Sequence, residues 1–172
     1  VTDVPYNFGG YQPENYDRNF HARVTIETAL AQSLNIPAVK ILNQVGVQPF
    51  TQWLFRNNLQ RFHPKAKFGL SLILGGCEVS LEELVSLYAG LANQGMFSKL
   101  KLQDLHQKQE ESRMLSAESA FLIAEILSQP TRPDLPNLFQ NSIHLPKIAW
   151  KTGTSYGRRD GWSIGFNAHY TI

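Results

Sequence analysis

"KIAWKTGTSYGRRDGWSIGFNAHY", residues Lys147–Tyr170, decides how the whole chain is read. Its two ends, "KIAW" and "WSIGFNAHY", have the alternation and aromatic content of strands, and the glycine-rich "KTGTSYGRRDG" lies at and between them. The stretch therefore reads as a terminal antiparallel pair. Upstream of it the apolar residues recur at helical spacing, and many helices followed by a strand pair predict an α+β domain rather than alternating parallel units. An isolated hairpin is marginal in water, so these strands are expected to join a larger sheet whose other members lie outside this chain or escape the pattern.

Working back from the hairpin, Ser116 opens a helix through "AESAFLIAEIL" that stops before Pro130. Between Gln129 and Leu145 three prolines and polar clusters predict a surface loop or lid. Ser80 and Glu83 form a capping box ahead of Leu84, Leu87, Tyr88 and Leu91, with Gly95 placed to end that helix. Pro49 is expected to open a helix through Phe50, Trp53 and Leu54, followed by a basic loop, "NNLQRFHPKAKFG". Thr25 caps a helix that stops near Ser33, and Pro37 suits the first turn of the next, which Gly46 ends. The first twenty or so residues, rich in glycine, proline and aromatic side chains, read as irregular packed chain.

Composition sets bounds on function. The 172 residues are about one domain's worth, and 42% hydrophobic content permits a sizeable core. Sixteen basic and 14 acidic residues give a net charge of +2 without a single-sign block, so neither a nucleic-acid tail nor a polybasic membrane arm is present. The single cysteine, Cys77, excludes an intrachain disulfide and reads as buried and inert. No segment has the roughly 20 apolar residues of a membrane span, and the N-terminus lacks signal-peptide character. The histidines at 21, 63, 106, 144 and 169 lack ligand spacing, so no metal site and no cofactor are expected.

Two short motifs carry chemistry. In "KTGTS", Lys151 is a cation, and strand alternation puts the Thr152 and Thr154 hydroxyls on one side. Gly153 between them lets a ligand backbone lie against the strand, as an extended peptide ending in a carboxylate requires. The plainer reading is a strand end entering a glycine-rich turn. In "SLN", Ser33 and Asn35 sit at a helix break where both side chains can enter one cleft, or where they simply end one helix and cap the next.

Ser-x-Asn followed 118 residues later by Lys-Thr-Gly resembles the motif set of β-lactamases and penicillin-binding proteins. "ETALAQSLNIPAVKILNQVG" and "LSLILGGCEVSLEELVSLYAGLANQG" resemble the transpeptidase domain of class A penicillin-binding proteins. "GGYQPENYD" and "KTGTSYGRRDGW" resemble the C-type members in particular. The resemblance implies the helical subdomain and antiparallel sheet of the serine β-lactamase and DD-transpeptidase fold, incomplete here, with the helical subdomain over about 24–128 and the motif strands over about 147–172. The family's first motif, Ser-x-x-Lys, carries the acylated serine and precedes the "GGYQPEN" region. It is expected to be missing, so the chain resembles the second part of such a domain.

What the resemblance implies about function follows from these residues. Ser33 would relay protons near the attacking serine, and Asn35 would hydrogen-bond the substrate backbone. Lys151 would give electrostatic support, and Thr152 and Thr154 would hold the terminal carboxylate beside Gly153. The Thr154 N–H would supply half of an oxyanion hole, worth about 3 kcal/mol where such donors have been removed from other enzymes. The implied partners are peptidoglycan stem peptides and β-lactams, with no nucleic acid. A preceding part of the same protein would hold a glycosyltransferase domain and a membrane anchor at the periplasmic face. The competing readings are a serine β-lactamase or DD-carboxypeptidase, and a non-catalytic module that binds cell-wall peptide. Arg158, Arg159 and Asp160 read as a solvated turn or, for Arg159, as a carboxylate contact, and Glu14 and Asp17 as carboxylates that fix a loop.

Overall fold

The computed structural model describes residues 1–61, 67–101, 110–129, 147–155 and 160–172. Helix α1 (Ile26–Ala31) begins where expected, with the Thr25 side chain accepting from the Thr28 N–H at 2.9 Å. Its end is a Schellman turn: the Leu34 N–H reaches the Ala29 carbonyl at 2.9 Å and the Ser33 N–H reaches Leu30 at 3.2 Å. Ser33 takes the left-handed residue of that turn, with φ 56°.

Helix α2 (Asn35–Val45) follows at once and buries Ile36, Pro37, Val39 and Leu42, with Ile36 and Val39 both 0% exposed. Pro37 sits at its third position, where the N–H it lacks has no intrahelical partner to lose. Gly46, at φ 90°, ends α2 and opens α3 (Val47–Arg56). Helix α3 thus starts two residues before the proline that was expected to open it, because Pro49 is tolerated throughout the first helical turn.

A 3-10 helix over Leu70–Leu74 packs against α2 and ends at Gly75, which takes the left-handed conformation at φ 88°. Helix α4 (Leu81–Ala92) carries the expected capping box: Ser80 Oγ accepts from the Glu83 N–H at 3.2 Å, and Glu83 Oε2 accepts from the Ser80 N–H at 2.8 Å. The other Glu83 oxygen accepts from the Gln60 and Arg61 N–H groups, which ties the chain after α3 to α4. Helix α5 (Ala117–Leu127) is capped by Ser116, as expected.

Among the described residues there are three two-stranded antiparallel sheets: β1 (Thr2–Asp3) with β2 (Ala22–Arg23), β3 (Met96–Ser98) with β4 (Glu111–Arg113), and β5 (Ala149–Thr154) with β6 (Gly161–Phe166). The first four strands escaped the sequence reading because two or three residues show no period. They also mean that the N-terminal segment is not wholly irregular. The expected hairpin is β5–β6, with Lys151 opposite Ile164 and Thr154 opposite Gly161. The C-terminal segment turns back on it, exchanging two hydrogen bonds between Gly165 and Ile172 at 2.9 and 2.8 Å.

Helices α4 and α5 cover the hairpin, and Leu127, Ala149 and Phe166 are buried together beneath Leu30, Tyr88, Leu91 and Ile123. The Tyr88 ring meets Phe166 edge-on at 6.0 Å. A second cluster joins Leu54 and Leu59 to Phe50, Trp53, Val79 and Cys77. Cys77 is half-buried rather than fully buried, and that burial pushes its thiol up. The architecture is α+β: helices packed on small antiparallel sheets, with the α1–α2 corner and β5 brought side by side.

Candidate active site

The Schellman turn is what presents Ser33. Glycine is the usual residue at its left-handed position, and an L side chain there costs about 1–2 kcal/mol. Serine in that place gives up local stability, and its hydroxyl is used elsewhere: Lys151 Nζ, from β5, donates to Ser33 Oγ at 2.5 Å across 118 residues of chain. Lys151 also donates to the Thr152 carbonyl at 2.6 Å, which holds the ammonium against its own strand. An ammonium only donates, so Ser33 Oγ accepts from it and keeps its own O–H for another acceptor.

Asn35 does not cap α2, contrary to the plainer reading of "SLN". The N-cap position belongs to Leu34, which has no side-chain acceptor, and the cap comes from Asn15, twenty residues upstream. Asn15 Oδ1 accepts from the Asn35 N–H at 2.9 Å and the Ile36 N–H at 3.4 Å. The Asn35 side chain donates through Nδ2 to the Glu14 carbonyl at 2.8 Å. Neither side chain caps the helix that follows: Ser33 Oγ accepts from Lys151 and Asn35 Nδ2 donates to the Glu14 carbonyl.

The edge of β5 lies beside this corner. Because the Ser155 N–H bonds the Asp160 carbonyl at 3.0 Å, strand alternation pairs residues 155, 153, 151 and 149 with β6 and turns the N–H of Thr154 away from it. That N–H lies on the outer edge, where no other strand pairs among the described residues. Thr152 is half-buried, whereas Gly153 and Thr154 are exposed, and a Cβ added to Gly153 would meet no atom within 4 Å. At the strand's end, Gly75 comes so close that a Cβ there would stand 3.4 Å from Ser155 Cα. Gly75 therefore lies against the chain just past the motif strand.

Asp160 N–H donates to Ser155 Oγ at 2.9 Å and closes the hairpin, while Arg158 and Arg159 lie outside the described residues. So do His63, His106, His144 and most of the expected lid from 129 to 145. Asp17 fixes its loop by accepting from the Asn19 N–H at 3.0 Å, a bond that holds its carboxyl below the usual range. Glu14 contributes its carbonyl to Asn35. Among the described residues no three His, Cys, Asp or Glu side chains gather as a metal site, and no helix is long and apolar enough to cross a membrane. Asn15 and Gly75 were not singled out from sequence, because neither belongs to a pattern that places it near the motifs.

Residues 1–167 match the family described as "Penicillin binding protein transpeptidase domain". The chain belongs to that family. It is 40% identical over its whole length to penicillin-binding protein 1C of Escherichia coli K12, and 28% identical over 99% of its length to penicillin-binding protein 1F of Bacillus subtilis 168. It spans 22% of the first of these relatives and 26% of the second. Among solved structures, penicillin-binding protein 1A of Haemophilus influenzae superposes with a TM-score of 0.74 at 21% identity, over 96% of this chain and 32% of that one. PonA1 of Mycobacterium tuberculosis gives 0.75 at 15% identity, over 97% and 51%. Both share the fold described above.

One expectation needs correcting. The Ser-x-x-Lys spacing is not missing: it occurs at Ser98-Lys99-Leu100-Lys101. Ser98 closes strand β3 opposite Glu111, and the three residues after it are not helical. A serine and a lysine three apart share a face on a helix but not along extended chain, so this match lacks the geometry of a nucleophile activated by its own lysine. Ahead of Ser33 the chain carries no serine at all.

Proposed function

We propose that this chain is the substrate-holding part of a peptidoglycan cross-linking DD-transpeptidase, acting with a serine that lies outside it. The hydrogen bond between Lys151 and Ser33 carries the reading, because it joins the two motifs into one polar site beside an open strand edge. In the proposed reaction the upstream serine attacks the amide between two terminal D-alanines. The acyl group passes to the serine oxygen, and the departing D-alanine nitrogen takes a proton relayed through Ser33. The amine of a neighbouring stem peptide then attacks the ester, forms the cross-link and releases the serine.

The reading gives each residue a part. The stem peptide adds to the outer edge of β5 as an extended strand, with the open space at Gly153 admitting its backbone. Asn35 Oδ1 accepts from the substrate backbone, and the Thr152 and Thr154 hydroxyls bind the terminal carboxylate. Lys151 holds Ser33 and supplies positive potential, while the Thr154 N–H faces the developing oxyanion. β-Lactams would acylate the same serine. The helical subdomain would span about 24–128 and the motif strands about 147–172. The preceding part of the protein would contribute the nucleophile, with a glycosyltransferase domain and membrane anchor beyond it at the periplasmic face.

The test is to incubate the full-length protein with a pentapeptide stem ending in D-Ala-D-Ala and an amine acceptor, and to measure both products. Released D-alanine matched by cross-linked peptide supports transpeptidation. Release without cross-link assigns a carboxypeptidase instead, and no release overturns acyl transfer.

A further inference from the structure

We propose that Asn15 is a positioning residue for acyl transfer, setting the place of the Ser33–Asn35 corner through a buried hydrogen-bond chain anchored on Asp3. The inference rests on the transpeptidase reading above. Asn15 is 4% exposed and Asp3 is 0% exposed, so neither serves as solvated surface. The Asn15 amide nitrogen donates to both Asp3 oxygens, at 2.9 and 2.8 Å, and to the Asn19 carbonyl at 2.8 Å. Asp3 is held in turn by the His21 N–H at 3.0 Å and by His21 Nδ1 at 2.7 Å. With its nitrogen engaged in this way, Asn15 has only one orientation available, and Oδ1 faces the first turn of α2.

That orientation matters because Leu34 cannot cap α2 and the two N–H groups Asn15 receives belong to Asn35 and Ile36. The neighbouring Glu14 carbonyl fixes the Asn35 side-chain amide. One segment thus holds both the backbone and the side chain of Asn35. A cap from within α2's own N-terminal residues would need the Ser33 or Asn35 side chain; supplying it from Asn15 leaves Ser33 Oγ to Lys151 and Asn35 Nδ2 to the Glu14 carbonyl. Because Asn15 and Asp3, at the centre of the chain of bonds, are buried, a change at Asn15 moves the corner instead of being absorbed by water.

The experiment compares acylation of the full-length protein by a fluorescent penicillin, as a second-order rate, with melting temperature measured alongside. Asn15→Asp sets a second carboxylate against Asp3, and the two cannot both ionise. The rate is expected to fall by about 10- to 100-fold, the loss that a displacement of about 1 Å causes. Asp3→Asn combined with Asn15→Asp restores a donor–acceptor pair between the two positions and keeps an acceptor for the Asn35 N–H, but it sets a carboxylate oxygen against the Asn19 carbonyl. This exchange is expected to recover part of the loss, leaving the rate above that of Asn15→Asp alone and below wild type.

In an Asn35→Ala background the backbone N–H groups that Asn15 receives and Ser33 both remain, so Asn15→Asp is expected to slow the rate there too, but by less than in the wild-type background. A folded Asn15→Asp protein acylated at the wild-type rate overturns the inference. So does an exchange that restores melting temperature without recovering any of the acylation rate, or equal losses in both Asn35 backgrounds. If Asn15→Asp does not fold, the exchange variant decides alone, and its failure to fold or to react counts against the pairing. An unlabelled wild type overturns the acyl-transfer reading and this inference with it, whereas a labelled wild type with an unaffected variant overturns the inference only.

Discussion

Lys151 Nζ and Ser33 Oγ stand 2.5 Å apart, and this contact joins the corner between α1 and α2 to the middle of β5. Neither residue is placed by the other's element. The Schellman turn fixes Ser33, the pairing with Ile164 fixes Lys151, and the core beneath Leu30, Ala149 and Phe166 fixes the distance between them.

Since the two groups act as a unit, their substitution should be non-additive. Ser33→Ala and Lys151→Ala in the full-length protein are each expected to slow penicillin acylation by about 100-fold or more. The double variant is expected to be slower than the worse single variant by no more than about tenfold, a coupling in the range of about 1–3 kcal/mol. Fully multiplicative rates in a stopped-flow comparison would show that the two side chains act separately.

Stability and reactivity should part company at Ser33. Glycine accommodates φ 56° without the Cβ clash, so Ser33→Gly is expected to stabilise the fold by about 1 kcal/mol while slowing acylation as much as Ser33→Ala does. The measurement is a thermal melt paired with the acylation rate. A lower melting temperature would mean that the Lys151 bond outweighs the backbone strain.

Two glycines should respond in opposite ways. A Cβ at Gly153 meets nothing within 4 Å, so Gly153→Ala is expected to leave stability within about 0.5 kcal/mol and to slow acylation by filling the space a ligand backbone needs. Gly95 is at φ 82° and its Cβ would run into the Leu115 carbonyl, so Gly95→Ala is expected to cost about 3 kcal/mol or more. Denaturant melts and acylation rates on both variants check the contrast.

Glu83 links stability to acid. Burial alone would push its carboxyl up, but the N–H groups of Ser80, Gln60 and Arg61 together outweigh that and hold it below the ordinary value of 4.5. A carboxyl lowered on folding contributes stability that is full above the unfolded value and is lost as pH falls through the folded one. Glu83→Gln is therefore expected to cost about 1–3 kcal/mol near neutrality, with the gap to wild type shrinking below about pH 4.5. Melting temperatures of both proteins between neutral and acid pH measure that gap, and a gap independent of pH would remove the carboxylate from this role.

What the sequence made legible was local. Thr25, Ser80 with Glu83, and Ser116 cap helices through bonds spanning three residues, so the pattern and the structure coincide. Pro49 misled by two residues because a proline marks the first turn and not its first position. Strands β1 to β4 are held by pairing rather than by any pattern of their own. At the site, "SLN" and "KTGT" were legible as motifs, yet the left-handed φ of Ser33 comes from a turn that sequence normally signals with glycine. Asn15 was illegible for a related reason: it caps a helix across twenty residues, where no spacing rule reaches. Ser98 and Lys101 show the converse, a motif spacing on chain that is not helical.

The most direct test is to react the full-length protein with benzylpenicillin and map the acylated residue by peptide mass spectrometry. The account predicts one modified serine, encoded ahead of residue 1 and followed three residues later by a lysine, whose modification slows when Ser33 is changed to alanine. A folded protein that takes up no acyl group, or that carries it on Ser98 or any other serine of these 172 residues, would contradict it.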